Sequence, residues 1–480
     1  MSSGRWVNVK FLAASICLLA GGLSCPSGTV RTESLPPQGS DELVVFFTGS
    51  ELGSLRPCGC SGGQLGGLEK RSAVLNSVAA SRRLIVGTGA LVEGDREQDQ
   101  MKFRILFEAF KLLNYDVVHL TGRDIEIATR LGLLSDTKQP FDVMHAAENG
   151  QSVVFTRRVT VGGRDITVNI VSFDSPSSFI RPPPFALGPQ DPLTVNILIL
   201  DYSGSHSLLN GYPNELLLRS WQSRGVECVI CPSSSDESQV LNETDHMPLV
   251  CTVGRFGRYV LRLGVTIGPA DGRRRTEDSL KAEVSRSGSS NFKHQTSNIR
   301  LRFESIPLRA ELPDDEALVQ LYRQYQQLVA QSSVLESYPR VPLPQKLAFA
   351  GSASCKPCHE PQYDKWSTTA HSHALTALKK VGSDRDPECV VCHVLGLQYE
   401  GGFVNEAKTP HLGGVGCENC HGAGSDHVLT SGQTPMGQPK TACTRCHTPE
   451  QSGEFAGHEE EYMKNILHWR EPAAPGNVKN

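Results

Sequence analysis

Aromatic residues make up only 6% of this 480-residue chain, and methionine occurs six times. A chain so short of large apolar side chains fills a small second domain poorly unless something other than side chains supplies volume. An excess of either charge is also missing. Lys and Arg total 47 against 51 Asp and Glu, a formal net charge of −4. That balance excludes the basic footprint of a nucleic-acid binder. Long apolar runs are absent after the first 25 residues, so no later stretch is suited to crossing a bilayer.

The early run covers residues 11–23, behind the basic Arg5 and Lys10. A basic head, a short apolar stretch and small residues at its end predict a signal peptide over 1–25. Cys25 is a candidate lipid-attachment residue, and ordinary cleavage nearby is the alternative. Either way the expected location is exported, in the periplasm or on the outer face of a membrane.

What the chain has in quantity is cysteine and histidine, 15 of each. Twelve of these residues form four copies of one pentapeptide: CKPCH at 355–359, CVVCH at 389–393, CENCH at 417–421 and CTRCH at 443–447. Chance at this composition gives about 0.015 copies. Cys-x-x-Cys-His is the attachment signature of c-type haem. Its two thiols reach the two vinyl groups of one porphyrin, and the adjacent imidazole reaches the iron. A zinc ribbon or a thioredoxin-type pair also uses Cys-x-x-Cys. Neither needs His after the second Cys four times. Four covalently attached haem c groups are therefore expected. Their attachment residues are Cys355, Cys358, His359, Cys389, Cys392, His393, Cys417, Cys420, His421, Cys443, Cys446 and His447.

The second axial face of each iron needs another ligand. His371, His373, His411, His427, His458 and His468 lie in the same region outside the motifs, with only Met436 and Met463 as thioethers. Distal imidazole is favoured, which points to lower reduction potentials.

Composition shifts divide the chain into the signal segment 1–25, a Pro/Ser/Gly-rich linker 26–40, an α/β domain 41–310, a linker helix with a Pro-rich spacer 311–346, a haem domain 347–470 and a tail 471–480. In the α/β domain, apolar runs predict strands over 43–48, 84–88, 117–120, 195–200, 228–231 and 259–267. Helical spacing predicts helices over 103–113 and 314–331. Residues 271–298 are polar and read as an exposed excursion, and 338–344, with three prolines, as a stiff spacer.

Two resemblances extend this reading. FAGSASCKPCHEPQYDKW over 349–366, His371 and His373 beyond it, DPECVVCHVLG over 386–396 and GVGCENCHGAGSDH over 414–427 resemble the cytochrome c-554 family of tetrahaem electron carriers. The resemblance covers about 349–469. It implies distal ligation by His371, His427 and His468, with His373 the rival of His371 and His458 of His468. It also implies an open axial site on the iron held by His393, unless His411 closes it.

VVFFTGSELG over 44–53, GGLEKR over 66–71, Gly89, Tyr115-Asp116 and the region of Cys231 are similar to the exported 5′-nucleotidase branch of the metallophosphoesterases. That family binds two metals through Asp and His at strand ends. The corresponding positions here read Ser50, Leu52, Ala90, Gly122, Arg123, the vicinity of Tyr202, Ser233 and Ser235. None supplies the ligand set a hard or borderline divalent ion requires. Cys58, Cys60, Cys228, Cys231 and Cys251 are left over, and disulfides, a rebuilt metal site and free thiols are all open to them.

The expected fold is thus an α/β metallophosphoesterase-like sandwich followed by a small, mainly helical, haem-packed multihaem cytochrome c domain. The expected function is electron transfer with redox partner proteins, phosphoester hydrolysis being lost. The alternatives are an oxidoreductase acting on a small nitrogen or sulfur species at an open haem and, further off, a 5′-nucleotidase-type hydrolase. No nucleic-acid partner is expected, and membrane contact only through lipid on Cys25.

Overall fold

Alternate side chains of a strand face opposite ways, so a strand that is apolar throughout must be covered on both faces. β1 (Glu42–Thr48) shows this: Leu43, Val45 and Phe47 join one buried cluster while Val44 and Phe46 join another. The computed structural model describes residues 41–57, 64–135, 139–145, 153–174, 193–201, 213, 215–242, 247–268, 292–295, 299–437, 443–449, 451–452 and 455–468. The signal and linker segments with Cys25, the positions Cys58, Cys60 and Tyr202, and the tail lie outside the described residues.

β1 lies at the centre of a seven-stranded sheet. On one side it pairs in parallel with β2 (Arg83–Gly87), followed by β3 (Val117–His119) and β4 (Asp142–Met144). On the other it pairs antiparallel with β11 (Tyr259–Ile267), followed by β13 (Ile299–Pro307) and β12 (Phe292–Gln295). A second, six-stranded sheet runs β5 (Val153–Val161), β6 (Arg164–Asp174), β7 (Thr194–Asp201), β8 (Val226–Cys231), β10 (Leu249–Thr252) and β9 (Gln239–Val240). The sheets face each other across Phe47, Leu261, Leu263, Ile166, Val168, Ile170 and Ile197. α1 (Leu68–Leu75), α2 (Glu97–Leu112) and α3 (Gly122–Arg130) cover the outer face of the first sheet, and α4 (Glu215–Gln222) covers the second. The result is a four-layer helix–sheet–sheet–helix sandwich.

Two readings need correction. The helix expected as part of a linker is α5 (Glu316–Gln331). It packs into the α/β core through Leu318, Leu321, Tyr325 and Val329, each under 7% exposed, because its apolar stripe matches the outer face of α2. The polar excursion contains β12, which pairs with β13. The α/β reading holds, in mixed sheets in which β5 and β6 form an antiparallel hairpin through Gly162 (φ 57°) and Gly163 (φ 76°).

The C-terminal region is made of short helices: α6 (Glu360–Ser367), α7 (Ala374–Val381), α8 (Pro387–His393), α9 (Cys417–His421), α10 (Ser425–Leu429) and α11 (Glu459–Ile466). Its apolar cluster is small, centred on Leu375, Leu378, Val390, Leu397 and Phe403. No helix among the described residues is long and apolar enough to cross a membrane.

Candidate haem-binding and strand-end sites

Each motif is fixed by bonds made nearby in sequence or across to another motif. His359 ends the first motif and caps α6, whose Trp366 indole donates to the Val415 carbonyl at 2.9 Å. His371 follows that helix, and its carbonyl accepts the Val415 amide at 2.9 Å. Gly414 (φ 90°) permits this approach, since a Cβ there would come within 2.7 Å of the Ser372 carbonyl. In the third motif, Glu418 is 3% exposed and accepts the amides of Ala350, Gly351 and Gly424 at 2.9, 2.8 and 2.7 Å. The buried carboxylate is therefore satisfied, and it ties the third motif to the approach of the first. The thiols of Cys355 and Cys417 are in contact, as are those of Cys392 and Cys446. Motif one thus packs on three, and two on four.

The histidines fall into pairs. His359 faces His427 with ring centroids 5.9 Å apart, His447 faces His371 at 6.2 Å, and His421 faces His468 at 6.1 Å. Each pair joins one motif imidazole to one from outside the motifs. Two imidazoles bound to opposite faces of one iron through ~2 Å bonds place their centroids roughly 6 Å apart. The rivals stand elsewhere. His373 is exposed at the start of α7, and His458 lies 3.7 Å from Glu461. His411 is exposed on a short turn, against Gly351.

The second ring nitrogen agrees with this arrangement. Nδ1 lies 2.9 Å from the Ala374 carbonyl in His393, 3.2 Å from Gly437 in His421, 2.7 Å from Thr434 in His427 and 2.9 Å from Ile466 in His468. A carbonyl only accepts, so Nδ1 donates and Nε2 is left as the base that binds metal. In His447, Nδ1 meets the Ser452 hydroxyl at 3.1 Å. A cavity of about 3100 Å³ runs among the second and fourth motifs and reaches the α/β domain at Leu52 and Ser235. Donor set, spacing and cavity fit c-type haem.

The other site of interest is the set of strand ends expected from the phosphoesterase resemblance. Ser50, Leu52 and Ala90 adopt left-handed φ of 50°, 52° and 57°. Such a backbone costs a non-glycine residue on the order of 1–3 kcal/mol. It is held by bonds from Ser50 N to Gly89 O (2.8 Å), Leu52 N to Ala90 O (3.1 Å) and Phe256 N to Ser50 O (2.8 Å). Asp124, fully buried, accepts the Ala90 and Leu91 amides at 2.8 and 3.1 Å. The remaining positions act locally. Gly122 and Arg123 open α3, and Arg123 donates to the Glu93 carbonyl. The hydroxyls of Ser233 and Ser235 accept the Gly254 and Glu237 amides at 2.9 and 3.3 Å. Among the described residues no group of three or more His, Cys, Asp and Glu side chains is gathered for a metal ion.

Between these strand ends sequence reasoning missed a buried ion pair. Arg71 donates to Glu51 at 3.0 Å and to the Tyr115 hydroxyl at 3.1 Å, and Tyr115 meets Thr48 at 2.7 Å. Burial pushes the Glu51 carboxyl up, and Arg71 opposes it. A second buried set is His119, with Nδ1 2.9 Å from Ser172 and Nε2 3.7 Å from Asp201. Thr48, Glu51, Arg71 and Tyr115 all fall in the segments that carry the phosphoesterase resemblance, but their pairing was not read from them, and the His119 set, gathered from separate strands, has no local sequence signal.

Of the leftover cysteines, Cys228 and Cys251 have sulfurs 3.9 Å apart on neighbouring parallel strands. Cys228 is in register with Leu249, so Cys251 sits two residues further on. That offset separates the Cα atoms by roughly 8 Å, beyond disulfide reach. Cys231 faces the opposite side, among the residues beneath α4. All three are buried thiols.

The α/β and haem regions meet at α8. Its cap residue Asp386 accepts from the Tyr325 hydroxyl of α5 and the Gln98 amide of α2, both at 2.8 Å. Glu388, one residue before Cys389, is paired with Lys102 of α2. Asp386-Pro387 is a readable helix start, but its partners carry no sequence signal.

Comparison with known proteins agrees with the C-terminal reading. Residues 354–422 match the family model described as cytochrome c554 and c-prime. Cytochrome c-554 of Nitrosomonas europaea is 40% identical over 91 residues, 16% of this chain and 39% of that protein. The chain thus spans about two-fifths of the length of that curated relative. The solved structure of reduced cytochrome c554 from Nitrosomonas europaea is 25% identical and covers 26% of this chain and 86% of that one, with a TM-score of 0.21. Other solved structures align with a larger share of this chain. A calcineurin-like phosphoesterase, YfkN, from Bacillus subtilis is 10% identical, covering 60% of this chain and 97% of that one at a TM-score of 0.37. A 5′-nucleotidase precursor from Thermus thermophilus is 14% identical, covering 71% and 68% at a TM-score of 0.37.

Proposed function

We propose that this chain is an exported four-haem c-type cytochrome that passes electrons between redox partner proteins, with an α/β domain that has lost its metal ligands and serves as a docking module. The observation that carries the reading is the set of three imidazole pairs at 5.9–6.2 Å, each combining a motif histidine with one from outside. Haem, when bound, supplies a one-electron carrier. The residues do the rest. The eight motif cysteines would hold the porphyrins, His359, His393, His421 and His447 would each bind one iron, and His427, His468 and His371 would serve as the second ligand at three of the four sites. Nδ1 bonds to backbone carbonyls hold the rings in one orientation and raise their basicity. Imidazole on both faces favours lower potentials than a thioether would.

The strand-end positions support the second half of the proposal. Ser50, Leu52, Ala90, Ser233 and Ser235 offer hydroxyls or hydrocarbon, and the hydroxyls of Ser233 and Ser235 are taken by backbone amides. Export, and lipid on Cys25 as a tether, rest on the basic and apolar start of the chain.

Intact mass and electron paramagnetic resonance of the purified protein test the reading together. The expected result is four haem masses above the polypeptide, with at least three low-spin irons. Bound zinc without haem absorbance rejects it. Nitrophenyl phosphate and nucleotide hydrolysis, assayed with manganese, cobalt or zinc, should stay below ~1 turnover per second, an ordinary enzyme rate. Faster metal-dependent turnover rejects the loss of hydrolysis.

A further inference from the structure

We infer that the α/β domain positions the helix of the second motif and that the Lys102–Glu388 pair holds two opposite charges in balance beside the haem on Cys389, Cys392 and His393, so that losing either charge shifts the potential at which that haem accepts an electron. The inference rests on the reading that this motif carries haem. α8 starts at Pro387, and its cap carboxylate Asp386 is 7% exposed. That carboxylate accepts the Glu388 amide at 3.0 Å and is gripped by Tyr325 and Gln98 from two helices of the α/β core. Gln98 also donates to the Tyr325 hydroxyl at 2.9 Å, so the three groups form one closed set. The first turn of the haem-binding helix is therefore held by the neighbouring domain.

One residue later comes the charge pair. Lys102 is 5% exposed, and its stem lies over Gly53, where a Cβ would come within 3.3 Å of Cδ. An ammonium almost out of water is thus fixed against a carboxylate adjacent to an attachment cysteine. Charges near a redox centre act strongly where solvent is excluded. A cation favours the reduced form and an anion the oxidised form. Together the two nearly cancel; alone, each moves the potential, in opposite directions.

The test is a redox titration of the full-length protein, following haem absorbance and paramagnetic resonance, in K102M, E388Q, the double variant and K102R. In K102M one of the haem transitions should move to lower potential by on the order of a tenfold change in the oxidised-to-reduced ratio, about 59 mV for one electron. In E388Q the same transition should move up, the double variant should return close to the parent, and K102R should restore it. Peptide mass analysis first establishes haem on Cys389 and Cys392. A bare motif there overturns the haem reading, whereas a loaded motif with unshifted potentials in both single variants overturns this inference alone. Shifts of the same sign in both single variants also overturn it, leaving a purely structural contact. If K102M does not accumulate as loaded protein, E388Q, altering a half-exposed side chain, carries the sign test by itself.

Discussion

His427 is the most direct place to test a distal ligand, because its ring lies 5.9 Å from that of His359 and its Nδ1 is already committed to Thr434. Changing His427 to Ala should leave the haem on Cys355 and Cys358 attached while turning its iron high-spin and open to carbon monoxide. Difference spectra with and without carbon monoxide check this. The same change at His373 or His458 should leave the spectrum as it was. His119 poses a different single-residue question. It is fully buried, and burial, with His145 adding in the same direction, pushes its imidazole down to about 3 from 6.5. A nearby carboxylate, Asp201 at 3.7 Å, works the other way. A histidine whose folded pKa is depressed adds stability above its unfolded value and loses it as pH falls from about 6.5 toward 3. At pH 5 the α/β domain should have lost up to about 2 kcal/mol from this one group. Urea melts at pH 7.5 and 5 in the parent and in His119→Gln should show the loss in the parent and a flatter profile in the variant.

At the scale of elements, α5 is the piece whose role differs most from its appearance. Its stripe of Leu318, Leu321, Tyr325 and Val329 was legible in the sequence as a helix, but its destination was not, because an apolar stripe fits any complementary face. Removing one oxygen from it tests the joint. Tyr325→Phe deletes the bonds to Asp386 and Gln98 in a buried setting and should cost roughly 1–3 kcal/mol. Hydrogen exchange should show faster opening of α8 and little change in β1. The central strands were legible for a similar reason: 43–47 is continuously apolar and 259–267 largely so, apart from Arg262 and Thr266, and such runs demand cover on both faces. The outer hairpin escaped because β5 alternates Phe155, Val159 and Val161 with exposed Thr and Arg, a half-buried pattern with weak contrast. The Gly162-Gly163 turn was the available signal. At the four motifs the expected attachment residues follow from spacing alone, since covalent chemistry fixes it. Which outer histidine meets which motif could not, because that pairing depends on how short helices stack.

The molecule as a whole divides its sources of stability unequally. Among the described residues the sandwich has three apolar clusters, whereas the C-terminal region has one small cluster around Leu375, Val390 and Phe403. So little buried apolar surface cannot offset the chain entropy of a region this long. Chain with its motif cysteines replaced should therefore be cut readily by trypsin across 347–468 while 64–135 resists. Equal resistance of both regions would show that side chains alone hold the C-terminal fold.

The clasp on α8 also gives this protein an order in time. Asp386, Tyr325 and Gln98 close over the first turn of a helix whose next residues, on the proposed reading, have to be reachable as free thiols for a porphyrin to be attached. While the clasp is shut, Cys389 stands beside a packed wall of the neighbouring domain. The sandwich is made earlier in synthesis and its half of the clasp is ready first, so the second motif should be loaded before it docks. A chain that docks too soon would be trapped one haem short, and the slowest step of its maturation would be the reopening of that joint.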